Sequence, residues 1–243
     1  MSQVARLHES EPLTQVKPPM PPHPQFRDGK PPRRLGAGLY AITDGPRDDL
    51  VTAARAALEG GAAMLQYRDK TGDAERRLRE AREIAALCRT FAVPLIVNDD
   101  PELAQASGAA GVHLGEDDEA IAGARATLGA GAITGVSCYD SLRRAQDAVG
   151  RGADYLAFGA FFPSRTKPGA RHATPNLLRD ARGLGLPLVA IGGITHENGG
   201  SLIEAGANYL AVVSGVFGAS DIRAAARRYA ELFLTRITGD ERG

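Results

Sequence analysis

The sequence is poor in the residues that mark small secreted proteins and membrane proteins. It has no tryptophan, only two cysteines (Cys88 and Cys138), and no apolar run near the ~20 residues of a membrane span. Two cysteines cannot form a disulfide framework, so they favour a reducing, cytoplasmic location. The N-terminus lacks the apolar core of a signal peptide. The formal net charge is zero, and this balance gives no indication of nucleic acid or a membrane surface as a partner.

The N-terminal stretch differs from the rest of the chain. It contains the proline-rich run "KPPMPPHPQFRDGKPPRR" without apolar periodicity, so we predict that residues 1–36 form a disordered extension. A proline-dependent docking segment is the alternative. Hydrophobic residues make up 43% of the 243-residue chain, which is long enough for one large domain with a buried core. We place that domain at residues 37–238, followed by a short tail at 239–243.

A βα rhythm repeats along the domain. Short runs rich in β-forming residues alternate with helical stretches, and the runs lie at 38–44, 63–69, 94–99, 111–115, 132–138, 155–162, 187–193 and 208–214. Alternating βα units imply parallel strands, and eight such units predict an α/β fold, the (β/α)8 TIM barrel. A doubly wound open sheet is the alternative, but the first strand is not followed by a G-x-G-x-x-G turn.

The helical stretches carry apolar residues at steps of three or four, as an amphipathic helix does. In the second helix these residues are Ala74, Leu78, Ala81, Ile84, Cys88 and Phe91. In the last helix they are Ile222, Ala226, Tyr229 and Phe233. Glycine suits the left-handed position that ends a helix, and we predict this role for Gly60, Gly61, Gly111, Gly152 and Gly206.

Polar side chains stand where several apolar strands end. The third strand finishes in Asn98 and Asp99, and the second carries Gln66, Arg68 and Lys70 at alternate positions, which share one face of a strand. In a barrel of this kind the active site lies at the carboxyl ends of the strands. The sequence therefore predicts a site at this rim, to which other strand ends would add Thr43, His113, Asp118 and Ser137.

Two glycine-containing motifs, "IGGIT" and "VVSG", follow the seventh and eighth strands. Loops at these positions often bind phosphate through backbone amides and a helix N-terminus. Gly192 and Gly193 would allow an anion to approach the backbone, and Ser214 would add a hydroxyl group. The alternative is that these glycines only permit tight turns. Because both loops fit at once, we predict a phosphate site.

Carboxylates and cations also meet at the predicted rim. Asp99 and Asp118 follow neighbouring strands, and two carboxylates with water and substrate phosphate suit Mg²⁺. Arg68, Lys70 and Lys167 would supply positive charge, so the combination predicts a diphosphate site. The alternatives are helix N-caps for the aspartates and solvated surface charges for the cations.

The loop after the sixth strand, "FPSRTKPGA", carries polar residues between prolines and glycine. Such a loop can close over bound phosphates and exclude water, although an ordinary solvent-exposed loop is the alternative. We expect His113 to be buried and hydrogen-bonded, which is the common state of a histidine in a strand. No histidine has a partner at metal-ligand spacing. Cys138 follows Ser137 at a strand end, but its surroundings do not resemble those of a nucleophilic cysteine.

Taken in order, the motifs resemble the thiamine-phosphate synthase family, also called thiamine-phosphate pyrophosphorylases. The resemblance covers residues 38–235 and rests on "QYRDK", "VNDD", "GVHLGEDD", "GVSCY", "FGAFFPSRTK", "AIGGI" and "AVVSG". It implies a transferase of thiamine biosynthesis. Its two small-molecule substrates would be hydroxymethylpyrimidine diphosphate and hydroxyethylthiazole phosphate. The products would be thiamine phosphate and pyrophosphate.

The resemblance also implies roles for individual residues. The pyrimidine diphosphate would be held by Gln66, Arg68, Lys70 and Asn98, and Mg²⁺ by Asp99 and Asp118. The leaving pyrophosphate would be contacted by Ser137 and Lys167, which with Arg68 are the expected catalytic residues. The thiazole phosphate would be bound by Ser164, Thr166, Gly193, Val213 and Ser214. No protein nucleophile is expected, because a pyrimidine-methyl cation would form as pyrophosphate leaves.

The chain departs from the family pattern at three positions. Glu116, Ser164 and Gly215 stand where the family usually has Gln, Thr and Ala. The alternative functions are a thiazole tautomerase of the same barrel type and a non-catalytic phosphate-binding barrel. Tautomerases typically lack the metal-binding acids and the diphosphate-binding lysines, whereas this sequence has all of them. The sequence leaves open whether the protein is a homo-oligomer.

Overall fold

The computed structural model describes residues 35–115, 120–163 and 172–237. Within them, eight parallel strands close into a barrel in the order of the sequence. The strands are β1 (Gly38–Ile42), β2 (Ala62–Tyr67), β3 (Leu95–Asn98), β4 (Gly111–Leu114), β5 (Ile133–Tyr139), β6 (Tyr155–Phe158), β7 (Leu188–Ile191) and β8 (Tyr209–Val212). The predicted barrel is therefore confirmed. The predicted extension falls almost entirely outside the described residues, as does the predicted tail.

Helices connect the strands on the outside of the barrel. They are α1 (Leu50–Glu59), α2 (Ala74–Thr90), α3 (Pro101–Ser107), α4 (Ala120–Leu128), α5 (Leu142–Gly150), α6 (Pro175–Ala181), α7 (Gly199–Ala205), α8 (Ser214–Phe217) and α9 (Ile222–Ile237). A short 3-10 turn, Arg182–Leu184, extends α6. The one-turn helix α8 is additional to the helices that follow each strand. No helix in the described ranges is long and apolar enough to cross a membrane.

The core has two layers because residues of each strand point alternately into the barrel and towards the helices. The barrel interior contains Tyr40, Ile42, Met64, Ile96, Ile133, Tyr155, Ala157, Val189, Tyr209 and Ala211. The larger layer lies between strands and helices. There the apolar face of α2 is buried through Ala81, Ile84 and Cys88, as predicted, whereas Ala74 at the start of this helix is exposed.

The glycine predictions are confirmed in part. Gly61, Gly152 and Gly206 have positive φ, but Gly60 has a right-handed φ of −77°. The prediction for Gly111 is wrong, because α3 ends at Gly108 with φ 71°. Gly111 is the first residue of β4, and a Cβ there would collide with the carbonyl group of Ile133 on β5. Its role is therefore to let two strands approach closely.

Seven of the eight strands end earlier than the sequence predicts, and β5 ends one residue later, at Tyr139. β2 ends at Tyr67, so Arg68 and Lys70 lie in the loop that follows and do not continue the alternation of the strand. Gln66 alone of the predicted trio points from the strand into the barrel interior, and it is 2% exposed. The polar rim is thus built mainly from βα loops, whose residues lie beyond the hydrogen-bonded part of the sheet.

Candidate active site

The motif "VNDD" places two adjacent aspartates in different positions. Asp99 lies beyond the end of β3 with a left-handed φ of 58°, and its backbone N–H donates to the carbonyl of His113 at 2.8 Å. Its side chain is half exposed at the mouth of the barrel. Asp100 instead caps α3 by accepting a hydrogen bond from the backbone N–H of Leu103 at 2.9 Å. Asp99 therefore presents its carboxylate to the mouth, whereas the Asp100 carboxylate is engaged by the cap of α3 and by an ion pair with Arg77.

Cation and carboxylate meet between the loops after β2 and β3. The Nζ of Lys70 lies 3.9 Å from an Oδ atom of Asp99, and the amide of Asn98 donates to the same carboxylate at 2.7 Å. A cavity of about 420 Å³ opens beside this group, lined by Asp69, Lys70, Thr71, Arg77, Asn98, Asp99, Asp100 and Glu102. The cavity is polar and of mixed charge, which suits an anionic ligand together with a cation.

Buried contacts hold the loop after β2 in place. The hydroxyl of Thr43, on a fully buried side chain, accepts from the backbone N–H of Arg68 at 2.8 Å and donates to its carbonyl at 3.2 Å. Asp69 is also buried and lies 2.7 Å from the guanidinium of Arg76 on α2. These contacts fix the backbone that carries Arg68 and Lys70, so that ordering these residues costs little when a ligand binds.

A chain of side-chain hydrogen bonds crosses the barrel interior; we call it the interior relay. The amide nitrogen of Gln66 donates to the hydroxyl of Tyr40 at 2.7 Å, and the hydroxyls of Tyr40 and Tyr155 are 2.9 Å apart. The Tyr155 hydroxyl lies 2.9 Å from Nδ1 of His113, whose Nε2 lies 2.9 Å from the hydroxyl of Ser137. The relay therefore connects two predicted site residues, Gln66 and Ser137.

Burial sets the protonation states in the interior relay. It lowers the pKa of His113 to about 4, so this imidazole is neutral near pH 7. Burial also raises the pKa of Tyr40 and Tyr155 above the ordinary value. Both phenols therefore keep their protons, and His113 serves as a neutral hydrogen-bonding group. The two hydrogen bonds of its ring confirm the prediction that His113 is hydrogen-bonded, although its side chain is only partly buried.

The lowered pKa of His113 predicts a loss of stability in acid. Between pH 6.5 and about 4 the unfolded chain binds a proton at this residue that the folded chain does not, so stability falls as pH falls through this range. We expect His113 to contribute about 2 kcal/mol to this loss, less than the full shift because the ring is partly exposed. Urea unfolding of wild type and His113→Gln at pH 7 and 4.5 measures it. A constant difference between the two proteins would contradict the prediction.

The loops after β7 and β8, where the sequence predicts a phosphate site, bring glycine backbone and a helix start together. Gly192 and Gly193 have φ values of 103° and 61°. A Cβ at Gly193 would lie 2.5 Å from the carbonyl oxygen of Pro163, so only glycine fits between these loops. Ser214 begins the short helix α8, in which the N–H groups of Val216 and Phe217 donate to the carbonyl of Val213. The N–H groups of Ser214 and Gly215 precede these bonds and have no acceptor within the helix. Both loops can thus direct N–H groups at an anion.

The structure explains why glycine occupies position 215. Gly215 packs against Tyr229 of α9, and a Cβ at this position would collide with the Tyr229 hydroxyl and lie 2.9 Å from Val212. Tyr229 is buried, and its hydroxyl donates to the carbonyl of Ile194 at 3.1 Å. The Tyr229 hydroxyl therefore occupies the space that the methyl group of an alanine at position 215 would need. The same hydroxyl connects α9 to the loop after β7.

We expect Gly215→Ala to destabilise the protein by about 1–3 kcal/mol, because the added methyl overpacks this contact. In the Tyr229→Phe background the colliding hydroxyl is gone and the nearest ring carbon lies 3.3 Å away, so the same substitution should cost less. Urea unfolding of the four proteins in this double-mutant cycle measures the coupling. Strictly additive costs would show that the two residues do not compete for this space.

Several predicted site residues lie outside the described residues: Glu116, Asp118, Ser164, Thr166 and Lys167. Within the described ranges, no group of three or more His, Cys, Asp or Glu side chains could hold a metal ion. Cys138 is buried beside Ser137, and burial raises its pKa to about 12, so it carries no thiolate near pH 7. The described part of the site offers hydrogen-bond donors and charge but no activated thiol.

No motif in the sequence indicates a function for Tyr40 or Tyr155, the two tyrosines of the interior relay. Both occupy inward-facing positions of barrel strands, where a phenol needs a hydrogen-bond partner. Period-two alternation could have indicated two buried hydroxyls. It could not have shown that they meet, because they are 115 residues apart in the chain.

The fold and the site together define a (β/α)8 barrel with a polar, charged mouth at the carboxyl ends of its strands. A family model described as thiamine monophosphate synthase matches residues 39–216. A thiamine-phosphate synthase of Marinobacter nauticus is 55% identical over 82% of this chain and 92% of its own length. One of Chromobacterium violaceum is 55% identical over 82% and 97%. The chain belongs to the thiamine-phosphate synthase family, and is accordingly a transferase.

Solved structures agree with this assignment. Thiamine phosphate pyrophosphorylase from Pyrococcus furiosus superposes with a TM-score of 0.75 at 33% identity, over 83% of this chain and 98% of that one. A 3-hexulose-6-phosphate synthase superposes with a TM-score of 0.61 at 20% identity, over 80% and 99%. The second likeness is to the barrel fold alone.

Proposed function

We propose that this protein is a thiamine-phosphate synthase. It joins hydroxymethylpyrimidine diphosphate to hydroxyethylthiazole phosphate and releases pyrophosphate. Family membership supports the proposal, and one observation of the site carries it: Lys70 and the Asp99 carboxylate meet at the mouth, 3.9 Å apart, beside a polar cavity. This pairing suits a diphosphate that binds as its metal complex, because the phosphate oxygens need a cation and the metal needs a carboxylate.

The residues present fit a magnesium ion. Asp99 offers a hard oxygen donor that is half exposed, and Asn98 orients one of its oxygens. Mg²⁺ commonly uses one or two carboxylates and completes its shell with water and substrate phosphate, so a single described carboxylate is sufficient on this side. Asp99 and Asp118 would hold the ion. When bound, it would neutralise negative charge on the departing pyrophosphate.

The protein's own residues position the substrates and stabilise charge. Gln66, Arg68, Lys70 and Asn98 hold the pyrimidine diphosphate, and Ser137 with Lys167 donates to the leaving pyrophosphate. The bond from the pyrimidine methylene carbon to oxygen breaks, and the thiazole nitrogen then attacks the resulting cation. Both ring nitrogens of His113 are engaged in hydrogen bonds, and the thiol of Cys138 is protonated, which supports a mechanism without a protein nucleophile. Catalysis would then come from positioning and electrostatics.

The loops after β7 and β8 bind the phosphate of the thiazole substrate. Gly193 and Ser214 supply backbone N–H groups and a hydroxyl, Val213 lies between the strand end and α8, and Ser164 and Thr166 add hydroxyls from the loop after β6. We place the reaction in the cytoplasm, which the two buried free cysteines support. The proposal requires no protein partner, and it is compatible with a homo-oligomer.

The test is to incubate the purified chain with both substrates and Mg²⁺ and identify the products by chromatography and mass spectrometry. We expect thiamine phosphate and pyrophosphate in equal amounts, and neither product when one substrate is omitted. Pyrophosphate release that does not require the thiazole phosphate would show hydrolysis without transfer. Conversion of a thiazole substrate alone, without the pyrimidine diphosphate, would contradict the proposed function.

A further inference from the structure

We propose that His113 and Tyr155 are positioning residues, and that the interior relay orients the Ser137 hydroxyl as a hydrogen-bond donor to the leaving group. The inference rests on the proposed function, in which Ser137 contacts the pyrophosphate. It adds two residues to the site and gives a direction to every hydrogen bond between Gln66 and Ser137. The direction follows from counting protons along the chain of contacts.

The amide of Gln66 donates to Tyr40, so the Tyr40 oxygen is an acceptor in that bond and its own proton must go elsewhere. The neighbouring hydroxyl of Tyr155, 2.9 Å away, can accept it. Tyr155 then has its proton left to donate, and Nδ1 of His113 lies 2.9 Å from its oxygen. The first three bonds of the relay therefore run in one direction.

His113 passes this direction on to Ser137. A ring nitrogen that accepts a hydrogen bond carries no proton, so if Nδ1 accepts from Tyr155 the ring proton resides on Nε2, which lies 2.9 Å from the Ser137 hydroxyl. Ser137 accepts that proton in a hydrogen bond, and its own proton is not used by the relay. The opposite direction would consume the Ser137 proton and leave the Tyr40 proton without an acceptor among these contacts. Successive bonds also polarise one another, which strengthens Ser137 as a donor.

The barrel makes room for the relay at one position. His113 on β4, Gly135 on β5 and Tyr155 on β6 stand at the same level, as partners in successive strand pairs. A Cβ at Gly135 would collide with the Tyr155 ring, so only glycine lets this ring pass in front of β5. The ring then stacks on His113 with 5.6 Å between centroids and 15° between planes. Ser137 lies two residues further along β5, towards the rim.

A matched pair of substitutions at His113 tests the relay. In asparagine the amide group lies near the position of Nδ1, and in glutamine it reaches the position of Nε2. His113→Asn should therefore lose the bond to Ser137, whereas His113→Gln can keep it. We expect His113→Asn to slow single-turnover pyrophosphate release about 10- to 100-fold, and His113→Gln to recover most of that loss. The KM for the pyrimidine diphosphate should change by less than about threefold in both variants.

Two further measurements separate positioning from a role in the fold. In the Ser137→Ala background, His113→Asn should have no further effect on the rate, because the group it orients is absent. Tyr155→Phe removes one hydroxyl and should slow the reaction severalfold. Tyr209→Phe is its matched control, because Tyr209 is also a buried interior tyrosine, with its ring 6.4 Å from that of Tyr40. Tyr209 is outside the relay, so loss of its hydroxyl should leave the rate unchanged.

The outcomes of these measurements distinguish a failure of the relay from a failure of the proposed function. If the wild type is active and His113→Asn releases pyrophosphate at a rate within about twofold of it, the relay is overturned and the proposed function stands. The same holds if His113→Asn lowers the rate by the same factor in the wild-type and the Ser137→Ala backgrounds. Equal losses in Tyr155→Phe and Tyr209→Phe would assign the effect to core packing and also overturn it. A wild type that releases no pyrophosphate would overturn the proposed function and this inference together.

Discussion

Asp99→Asn is expected to lower the turnover of thiamine phosphate synthesis by about 100- to 1,000-fold, the loss typical of removing one preorganised electrostatic group. The substitution keeps the size of the side chain and suits the left-handed φ of 58° at this position, because asparagine tolerates that region. It removes the negative charge that a magnesium ion and Lys70 both require. Steady-state rates over a magnesium titration measure the effect, and the variant should need much more Mg²⁺ for its residual activity.

The neighbouring aspartate provides the control. Asp100→Ser keeps an N-cap for α3 but loses the ion pair with Arg77, whose guanidinium lies 2.8 Å from the Asp100 carboxylate. This variant should lose about 1 kcal/mol or less of stability and keep the magnesium dependence of wild type. If Asp100→Ser and Asp99→Asn shifted the magnesium dependence equally, the assignment of the metal to Asp99 would be wrong.

Lys167→Ala is expected to lower turnover far more than it weakens binding of the thiazole phosphate. A cation beside the leaving group stabilises charge that develops only as pyrophosphate departs, so its loss should reduce kcat by about 100-fold or more. In the proposed function the thiazole phosphate binds separately, in the loops after β7 and β8, so its KM should change by less than about threefold. Steady-state kinetics with each substrate varied in turn separates the two effects.

Lys167→Arg is the matched variant. It keeps the positive charge on a long side chain but changes the geometry of donation, and we expect an intermediate rate. Equal losses of turnover and of thiazole-phosphate affinity in Lys167→Ala would place the lysine in the other pocket. Equal rates for Lys167→Ala and wild type would show that the leaving group does not depend on this charge.

The order of the barrel could be predicted because its signals are local. A strand or a helix can be recognised from its apolar pattern within about 20 residues, and so can the alternation of the two. Each of the eight predicted runs overlaps its strand. The ends of the strands could not be predicted as well. β6 stops at Phe158 rather than at residue 162, because pairing with the neighbouring strands decides where a strand ends.

The glycines of the junction before β4 show the same limit. Gly108 directly follows α3, and Gly111, three residues later, is the first residue of β4. Which of them adopts the left-handed conformation depends on where α3 stops. Gly111 is needed for a different reason, its approach to Ile133 on the next strand, and that contact spans 22 residues. Sequence spacing alone does not separate the two roles.

Part of the candidate site could likewise be predicted from local sequence, and part of it could not. The sequence predicted Gln66, Asn98, Asp99 and the phosphate loops because polar residues at strand ends stand out against apolar runs. The interior relay was not predicted, since its central residues resemble ordinary aromatic core positions. Their hydroxyls acquire a function only when β1, β4, β5 and β6 come together around one glycine, Gly135. That arrangement depends on barrel closure rather than on local sequence.

In the proposed function this mouth releases pyrophosphate from the pyrimidine diphosphate with help from Asp99 and a divalent cation. The most direct measurement follows pyrophosphate and thiamine phosphate together while Mg²⁺ is removed with a chelator and then restored. We predict that both products stop and resume in equal amounts in wild type, and that Asp99→Asn shows almost no recovery. Product formation that continues under excess chelator, or full recovery in Asp99→Asn, would contradict the account.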